Sequence, residues 1–295
     1  MELERYQALL CAIETGSLTA AADTLGYTPS GISRMMAALE SEHGFQLLLR
    51  GKNGVVPTQE CQRMLPLIRE LLFCGEKLEQ LSGQIRSIDV GSFTIGTAYS
   101  YYYTWLSKVV SDFHKTYPNI QIKMISGYSS DLLQKIQEHQ IDAAIISQRE
   151  GSHIWIPIQE NNMVAMVPKG HPLEAEGVVP LESFVTEPYI NTYPGFDIDN
   201  HRIFSRYQIV PNTHCSTMDI YATYSMVEAG LGISMDNELN CYPWRDRISL
   251  LPLNPPQTVH IGFALSENQT PAAKRFFEFI QPYISKLAEQ TMTTV

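Results

Sequence analysis

No apolar run in this chain of 295 residues approaches the roughly 20 residues that a membrane-spanning helix needs. No membrane partner is expected. Cysteine is sparse and odd in number: Cys11, Cys61, Cys74, Cys215 and Cys241 include no C-x-x-C pair. A disulfide framework is therefore a poor reading. Metalloprotease H-E-x-x-H, nucleophile-elbow G-x-S-x-G and phosphate-loop motifs are missing. No catalytic residue, metal or cofactor is assigned. Asp197, Asp199 and His201 lie close enough to suggest a metal, but they read better as the acidic first turn of a helix. No secretory signal is visible, since MELERYQALLCAIETG mixes charge with apolar residues at helical spacing (Leu3, Tyr6, Leu10, Ile13). A reduced, cytoplasmic protein is expected. Basic charge is also short: 21 Lys and Arg against 31 Asp and Glu leave a net charge of -10. Such a chain binds polyanions weakly unless its few basic groups are concentrated at one tip.

What is present begins at residues 17–60, SLTAAADTLGYTPSGISRMMAALESEHGFQLLLRGKNGVVPTQE. Ser17 is a good N-cap for a short helix carrying Leu18, Ala21, Ala22 and Leu25. Gly26-Tyr27 makes a turn. Thr28 caps a second helix with Pro29 at its first position, where the missing N–H costs nothing. Ile32, Met36 and Leu39 then form one inward stripe. This leaves Ser30, Gly31, Ser33 and Arg34 on the open N-terminal face, the part of a recognition helix that reaches base edges. Arg50-Gly51-Lys52-Asn53-Gly54-Val55-Val56 reads as a β-hairpin wing with Asn53-Gly54 as its turn. Thr28, Pro29, Ser30, Ser33, Arg34, Arg50 and Lys52 are the candidate contacts to double-stranded DNA. Residues 1–58 carry four basic against six acidic residues, so the basic tip is small. Two such tips acting together in a dimer offset that weakness.

Residues 58–87 read as one long helix capped by Thr58. Met64, Leu71, Leu78 and Ile85 recur every seven residues, with Leu67, Cys74 and Leu81 between them. That is an a/d seam, the mark of helix pairing, interrupted by Pro66 and Gly75. A homodimer or homotetramer through this linker helix is expected, because one winged domain reads only half of a two-fold site. After Ser87-Ile88-Asp89, strands and helices alternate: strands at 92–98, 120–126, 141–147, 154–159, 163–167, 189–193, 214–217, 248–253 and 259–265, and helices at 105–117, 131–139, 198–207, 218–229 and 271–288. The alternation predicts two α/β lobes with parallel sheets. Lobe I is expected over 88–160 and 267–295, and lobe II over 161–266, with crossings near Gln159–Met163 and Ser266–Thr270.

Ligands of open α/β sheets bind outside the carboxyl ends of strands. Those ends carry Tyr99, Ser100, Tyr101 and Tyr102; Ser126, Gly127 and Ser129; Ser147 and Gln148; Tyr193, Pro194, Gly195 and Phe196; and Cys215, Ser216 and Thr217. From these, Tyr99, Ser100, Tyr101, Ser126, Ser129, Ser147, Gln148, Tyr193, Pro194 and Ser216 are the candidate effector contacts. Hydroxyls at helix starts suit an anion, and the tyrosines suit an aromatic or flat molecule.

The N-terminal segment resembles the LysR-type transcriptional regulators. The resemblance spans the chain, but its specific motifs lie in the first sixty residues or so: Gly16-Ser17-Leu18-Thr19-Ala20-Ala21-Ala22, Ser33-Arg34, Leu39-Glu40, Gly44, Leu47, Arg50, and Thr58-Gln59-Glu60-Cys61. Five positions depart from the family pattern. Pro29 stands where Gln is usual, Ala37 and Ala38 where basic residues are usual, Leu48 where Phe is usual and Cys61 where Gly is usual. One frequent base-reading side chain and some phosphate contacts are thereby lost. The resemblance implies a winged helix-turn-helix over 1–58, a dimerising linker helix over 59–87, and an effector-binding domain over 88–295 that looks like a periplasmic binding protein. It implies a DNA-binding regulator, not an enzyme, whose operator binding follows a small molecule held between the lobes. Two other readings stay open. One is a thiol sensor on the same DNA domain, using Cys215 with Cys241 as partner. The other is a solute-binding protein or enzyme with an incidental helical cap.

Overall fold

The computed structural model describes residues 2–51, 54–86 and 90–292, with side chains to residue 287. Two compact units divide at Ile88/Asp89. The first holds α1 (Leu3–Thr15), α2 (Leu18–Leu25), α3 (Pro29–His43), β1 (Leu48–Gly51), β2 (Gly54–Pro57) and α4 (Gln59–Ile85). Local chemistry sets its helix starts. The Ser17 hydroxyl accepts from the Ala20 N–H at 3.3 Å, Thr28 from Gly31 at 3.1 Å, and Thr58 from Cys61 at 3.1 Å. Glycines at positive φ (Gly16, Gly26 and Gly44) end the first three helices. Ile32, Met36 and Leu39 are buried against Leu9, Ala12, Ala21 and Ala22. Each large side chain buried this way contributes roughly 2 kcal/mol.

The wing is antiparallel, with Gly51 opposite Gly54. Gly54 is therefore the first residue of the returning strand and not part of the turn. Lys52 and Asn53 lie outside the described residues. Gly54 has a φ of +108°, and a Cβ there would fall 2.2 Å from the Gly16 carbonyl oxygen. Only glycine lets the wing close on the α1–α2 junction, where the Val55 N–H donates to that same carbonyl at 2.8 Å.

Two faces of α4 differ. Cys61 and Ile68 are buried in the core of this unit, with Met64, Leu65, Leu71 and Leu72 packed beside them. Leu67, Leu78, Leu81 and Ile85 are 48–77% exposed in the single chain. The N-terminal half of the expected seam thus partly serves the helix's own domain, and only the remaining positions face outward.

The second unit contains β3 (Gly91–Thr97), α5 (Tyr103–Thr116), β4 (Ile120–Ser126), α6 (Ser129–Gln137), β5 (Ala143–Ser147), β6 (Ile154–Pro168), α7 (Pro172–Glu176), β7 (Val179–Pro180), α8 (Ser183–Thr186), β8 (Tyr189–Thr192), α9 (Asp199–Arg206), β9 (Thr213–Thr217), α10 (Ile220–Glu228), β10 (Ser234–Asn237), α11 (Glu238–Cys241), β11 (Ile248–Leu265) and α12 (Pro271–Met292). The main sheet has the order β10-β6-β11-β5-β3-β4. It is mixed rather than parallel: β3 pairs in parallel with β4 and β5, while β11 runs antiparallel to β5 and β6. Expected strand pairs 154–159/163–167 and 248–253/259–265 are in fact two long strands. Glu160, Asn161 and Asn162 do not form a turn, because they continue the ladder opposite His260, Val259 and Thr258.

These two strands join the lobes. One half of each lies in the lobe I core with Phe93, Phe113 and Phe276; the other half lies in the lobe II core with Phe184, Tyr189 and Phe204. The second crossing falls where the β6–β11 register shifts, between Pro252 and Gln257. It does not lie at Ser266–Thr270, which remains in lobe I: the Ser266 N–H donates to the Asp142 carbonyl and the Thr270 hydroxyl to its carboxylate. Val259–Leu265 accordingly belongs to lobe I.

Candidate functional site

At the DNA-reading end, Thr28, Pro29, Ser30 and Arg34 are exposed on the first turns of α3, and Ser33 is half-buried. Arg50 on the wing donates from Nη1 to the Ser33 hydroxyl at 3.4 Å, so wing and helix share one face. Lys52 lies outside the described residues. Glu40 is spent on structure: its Oε1 accepts the N–H groups of Leu47 (2.9 Å) and Leu48 (3.2 Å), anchoring the wing to α3.

A cavity of about 100 Å³ opens between the two lobes. Lobe I lines it with Ala98, Tyr99, Gly127, Tyr128, Ser129 and Arg149. Lobe II lines it with Thr192, Tyr193, Ile198, Asp199, Asn200, Ile220, Asp236 and Asn240. Of the expected contacts, Tyr99, Ser129 and Tyr193 reach it. Ser147 is buried one step behind and, with Gln148, lines a second cavity of about 310 Å³ that also holds Arg202, Arg206 and His260. Ser100 stands beside Asn240, hydroxyl to side-chain carbonyl at 3.5 Å. The others do not line the cavity. Tyr101 is half-exposed with its ring edge-on to Tyr102, and Ser126, Pro194 and Ser216 are exposed.

Asp199 organises the centre. It opens α9 in lobe II, yet its carboxylate reaches into lobe I. Arg149 Nη2 donates to it at 2.7 Å, the Ser147 hydroxyl at 2.8 Å and the Tyr99 hydroxyl at 3.3 Å. The Ser129 hydroxyl oxygen accepts the Ser147 N–H at 3.1 Å, and Ser129 donates its own proton to the Ser147 hydroxyl oxygen at 2.9 Å, since the one Ser147 hydroxyl proton goes to Asp199. Arg149, 7% exposed, also donates from Nε to the Ser130 hydroxyl (2.9 Å) and from Nη1 to the Gln148 carbonyl (3.1 Å). Asp197 repeats the motif at the rim: Arg202 holds it with two donors, and Ser130 donates to it at 2.7 Å. The Arg202 hydrogen bond outweighs desolvation and brings the Asp197 pKa down to about 2. His201 turns elsewhere, to Asn191 and the Phe196 carbonyl. Asp197, Asp199 and His201 therefore diverge, and among the described residues no group of acidic, His or Cys side chains could hold a metal ion.

Asp236, on β10, is the second carboxylate of the cavity. It accepts from the Tyr224 hydroxyl at 2.6 Å and from the Asn237 N–H at 2.7 Å. Burial is the main cause that pushes its pKa up to about 6; the nearby Asp199 charge adds to it. Burial, then the Asp199 charge, also raises the Tyr99 phenol well above its ordinary range. As for thiols, Cys215 is half-buried and Cys241 is buried, with burial pushing the Cys241 thiol up. That is the opposite of what an activated thiol needs.

A winged helix-turn-helix joined to a two-lobed α/β unit with a cleft defines a class: a regulator with a ligand-binding half. Residues 88–284 match the family described as the LysR substrate binding domain, and residues 3–62 match the bacterial regulatory helix-turn-helix protein, lysR family. The chain belongs to the LysR family and is a LysR-type transcriptional regulator with an effector-binding domain. It is similar to the uncharacterized HTH-type transcriptional regulator YvbU of Bacillus subtilis, 24% identical over 94% of this chain and 97% of that one. Among solved structures it is similar in fold to full-length CbnR complexed with its target DNA (TM-score 0.61, 19% identity, 96% of this chain and 99% of that one). It is likewise similar to the effector binding domain of QuiR in complex with shikimate (TM-score 0.57, 21% identity, 67% and 98%). No described helix is long and apolar enough to cross a membrane.

Proposed function

We propose that this regulator reads a two-fold operator through paired α3 helices and is switched by a small molecule that binds between the lobes of its α/β half. The observation that carries the reading is a split of labour along the chain. An exposed α3 N-terminus is braced by Arg50 at one end, and a cavity faced by both lobes lies at the other. Thr28, Pro29, Ser30, Ser33, Arg34, Arg50 and Lys52 would meet DNA, with Arg34 the group suited to a guanine edge or a phosphate. The exposed apolar row on α4 would pair two chains, which places two reading heads on one site. Tyr99, Ser129 and Tyr193 would touch the effector directly, and Ser147 would act through Ser129 and Asp199. The CbnR complex with target DNA and the QuiR complex with shikimate support this division for the shared fold. The chemistry described needs no reaction, so the protein acts by binding, in the cytoplasm where its operator is. Ligand binding shifts an equilibrium between lobe arrangements that the α4-linked assembly transmits to DNA.

The test is Arg34→Ala in the full chain, read by fluorescence anisotropy on operator DNA. Affinity is expected to fall about tenfold or more, the loss of one good charged contact, with the melting temperature unchanged. Parent-like operator binding would show that α3 is not the reading helix.

A further inference from the structure

A cleft that attracts anions through a cationic side chain needs one that is not already paired. Among the described residues that line this cleft there is none. The cavity is lined by three charged groups, Arg149, Asp199 and Asp236. The Arg149 charge is already paired: Nη2 holds the Asp199 carboxylate at 2.7 Å, while Nε and Nη1 donate to Ser130 and to a backbone carbonyl. The lobe I hydroxyls at the expected anion position, Ser147 and Tyr99, also donate to Asp199. Lobe II thus delivers its own carboxylate to the anion position of lobe I. What is left over is Asp236, a carboxylate whose neighbours are the Tyr224 hydroxyl, Asn237, Asn240 and the like-charged Asp199, and which forms no ion pair among the described residues. A lone carboxylate in such a place is costly and seeks a positive partner. The rings of Tyr99, Tyr128 and Tyr193 line the same space, and tyrosine faces attract ammonium groups. An added anion would face two carboxylates; an added monocation would bring the cavity to neutrality.

We propose that the effector is a small organic cation, an alkyl or arylalkyl amine, whose ammonium sits between Asp236 and Asp199 against the tyrosine rings, with Asp199 standing in permanently for the carboxylate of an anionic effector. This replaces the anion expected from the hydroxyl-rich strand ends, and it rests on the reading of the cleft as the effector site.

The test is isothermal titration of the full chain, at about pH 7.5 where alkylamines are protonated, with butylamine, phenethylamine, 1-butanol and butyrate. The amines are expected to bind, and butanol and butyrate to bind at least about tenfold more weakly, the worth of one charge-assisted contact. Asp236→Asn weakens the amines by a similar factor. Asp199→Asn provides a gain that misfolding cannot imitate: with Arg149 and Ser147 released, butyrate binds. Butyrate binding to the parent as tightly as butylamine would overturn the cationic class while keeping the cleft as the effector site. If the parent binds none of the four, the class is likewise overturned; the regulator reading is then judged by the Arg34 experiment, which uses no ligand.

Discussion

Removing Arg149 should loosen the α/β half and leave the DNA-reading half untouched. The guanidinium is nearly inaccessible, with 4% of its side-chain surface exposed, and Asp199 retains 17%. Arg149→Ala strands a carboxylate with two hydroxyl donors in place of a charge partner, and it also frees the Ser130 hydroxyl and the Gln148 carbonyl. Breaking one side of a buried pair costs about 3–5 kcal/mol. The residual exposure of Asp199 lets water recover part of this, so about 3 kcal/mol is expected. The protein supplies its own selective probe, since its three tryptophans, Trp105, Trp155 and Trp244, all lie beyond residue 89. Urea unfolding followed by tryptophan fluorescence therefore reports the second unit alone. In Arg149→Ala/Asp199→Ala both charges are gone, and the double variant should be more stable than the sum of the singles by roughly 2 kcal/mol. A single-variant loss under about 1 kcal/mol, or strict additivity, would refute the claim that Asp199 is held by Arg149 across the cleft.

Two further outcomes follow from the geometry. Leu81→Asp places a charge on the exposed row of α4, where Leu78 and Ile85 also stand free; sedimentation should show dissociation at concentrations where the parent is associated, and an unchanged sedimentation coefficient would exclude this face as the contact. Asp236 binds its proton more tightly folded than unfolded, with a pKa of about 6 against an ordinary 3.8. Its neighbours from the surrounding elements are Tyr224, Asn237, Asn240, Cys241 and Asp199. The stability it lends is complete below about pH 4 and is lost as pH rises through about 6, a change of roughly 3 kcal/mol. Relative to Asp236→Asn, the parent should therefore lose stability across that window in the same fluorescence assay, and a parallel pH dependence of the two proteins would rule out the raised pKa.

The reading head was legible because its signals are local. Ser17, Thr28 and Thr58 cap the helices that their neighbours in sequence predict, and the Ile32, Met36, Leu39 stripe is buried as its spacing requires. What escaped depends on partners far along the chain. Glu40 looks like a surface charge on a helix, yet it holds the wing through the N–H groups of Leu47 and Leu48. Glu160-Asn161-Asn162 reads as a break between two strands, because nothing local shows that β11 runs opposite and keeps the backbone paired. The cleft was half visible: a rule about strand ends finds Tyr99, Ser129 and Tyr193 but is blind to what fills the space between them. Asp199 was correctly placed in the first turn of a helix, while its bonds to Ser147 and Arg149, about fifty residues away, invert the charge of the site. Asp236 sits in a four-residue strand just past the Gly230–Gly232 turn, too short to show a period.

In the proposed reading an acidic chain recognises a specific DNA sequence through a small basic tip. Anisotropy of the full chain on DNA from upstream of its own gene and on random DNA, across a salt series, decides this. The proposed contacts Arg34, Arg50 and Lys52 on each of two chains would supply about six phosphate-scale contacts, so log K should fall against log salt with a slope of about −5. Binding should also be tighter than to random DNA throughout. Equal affinity for both DNAs, or a slope near zero, would contradict the account.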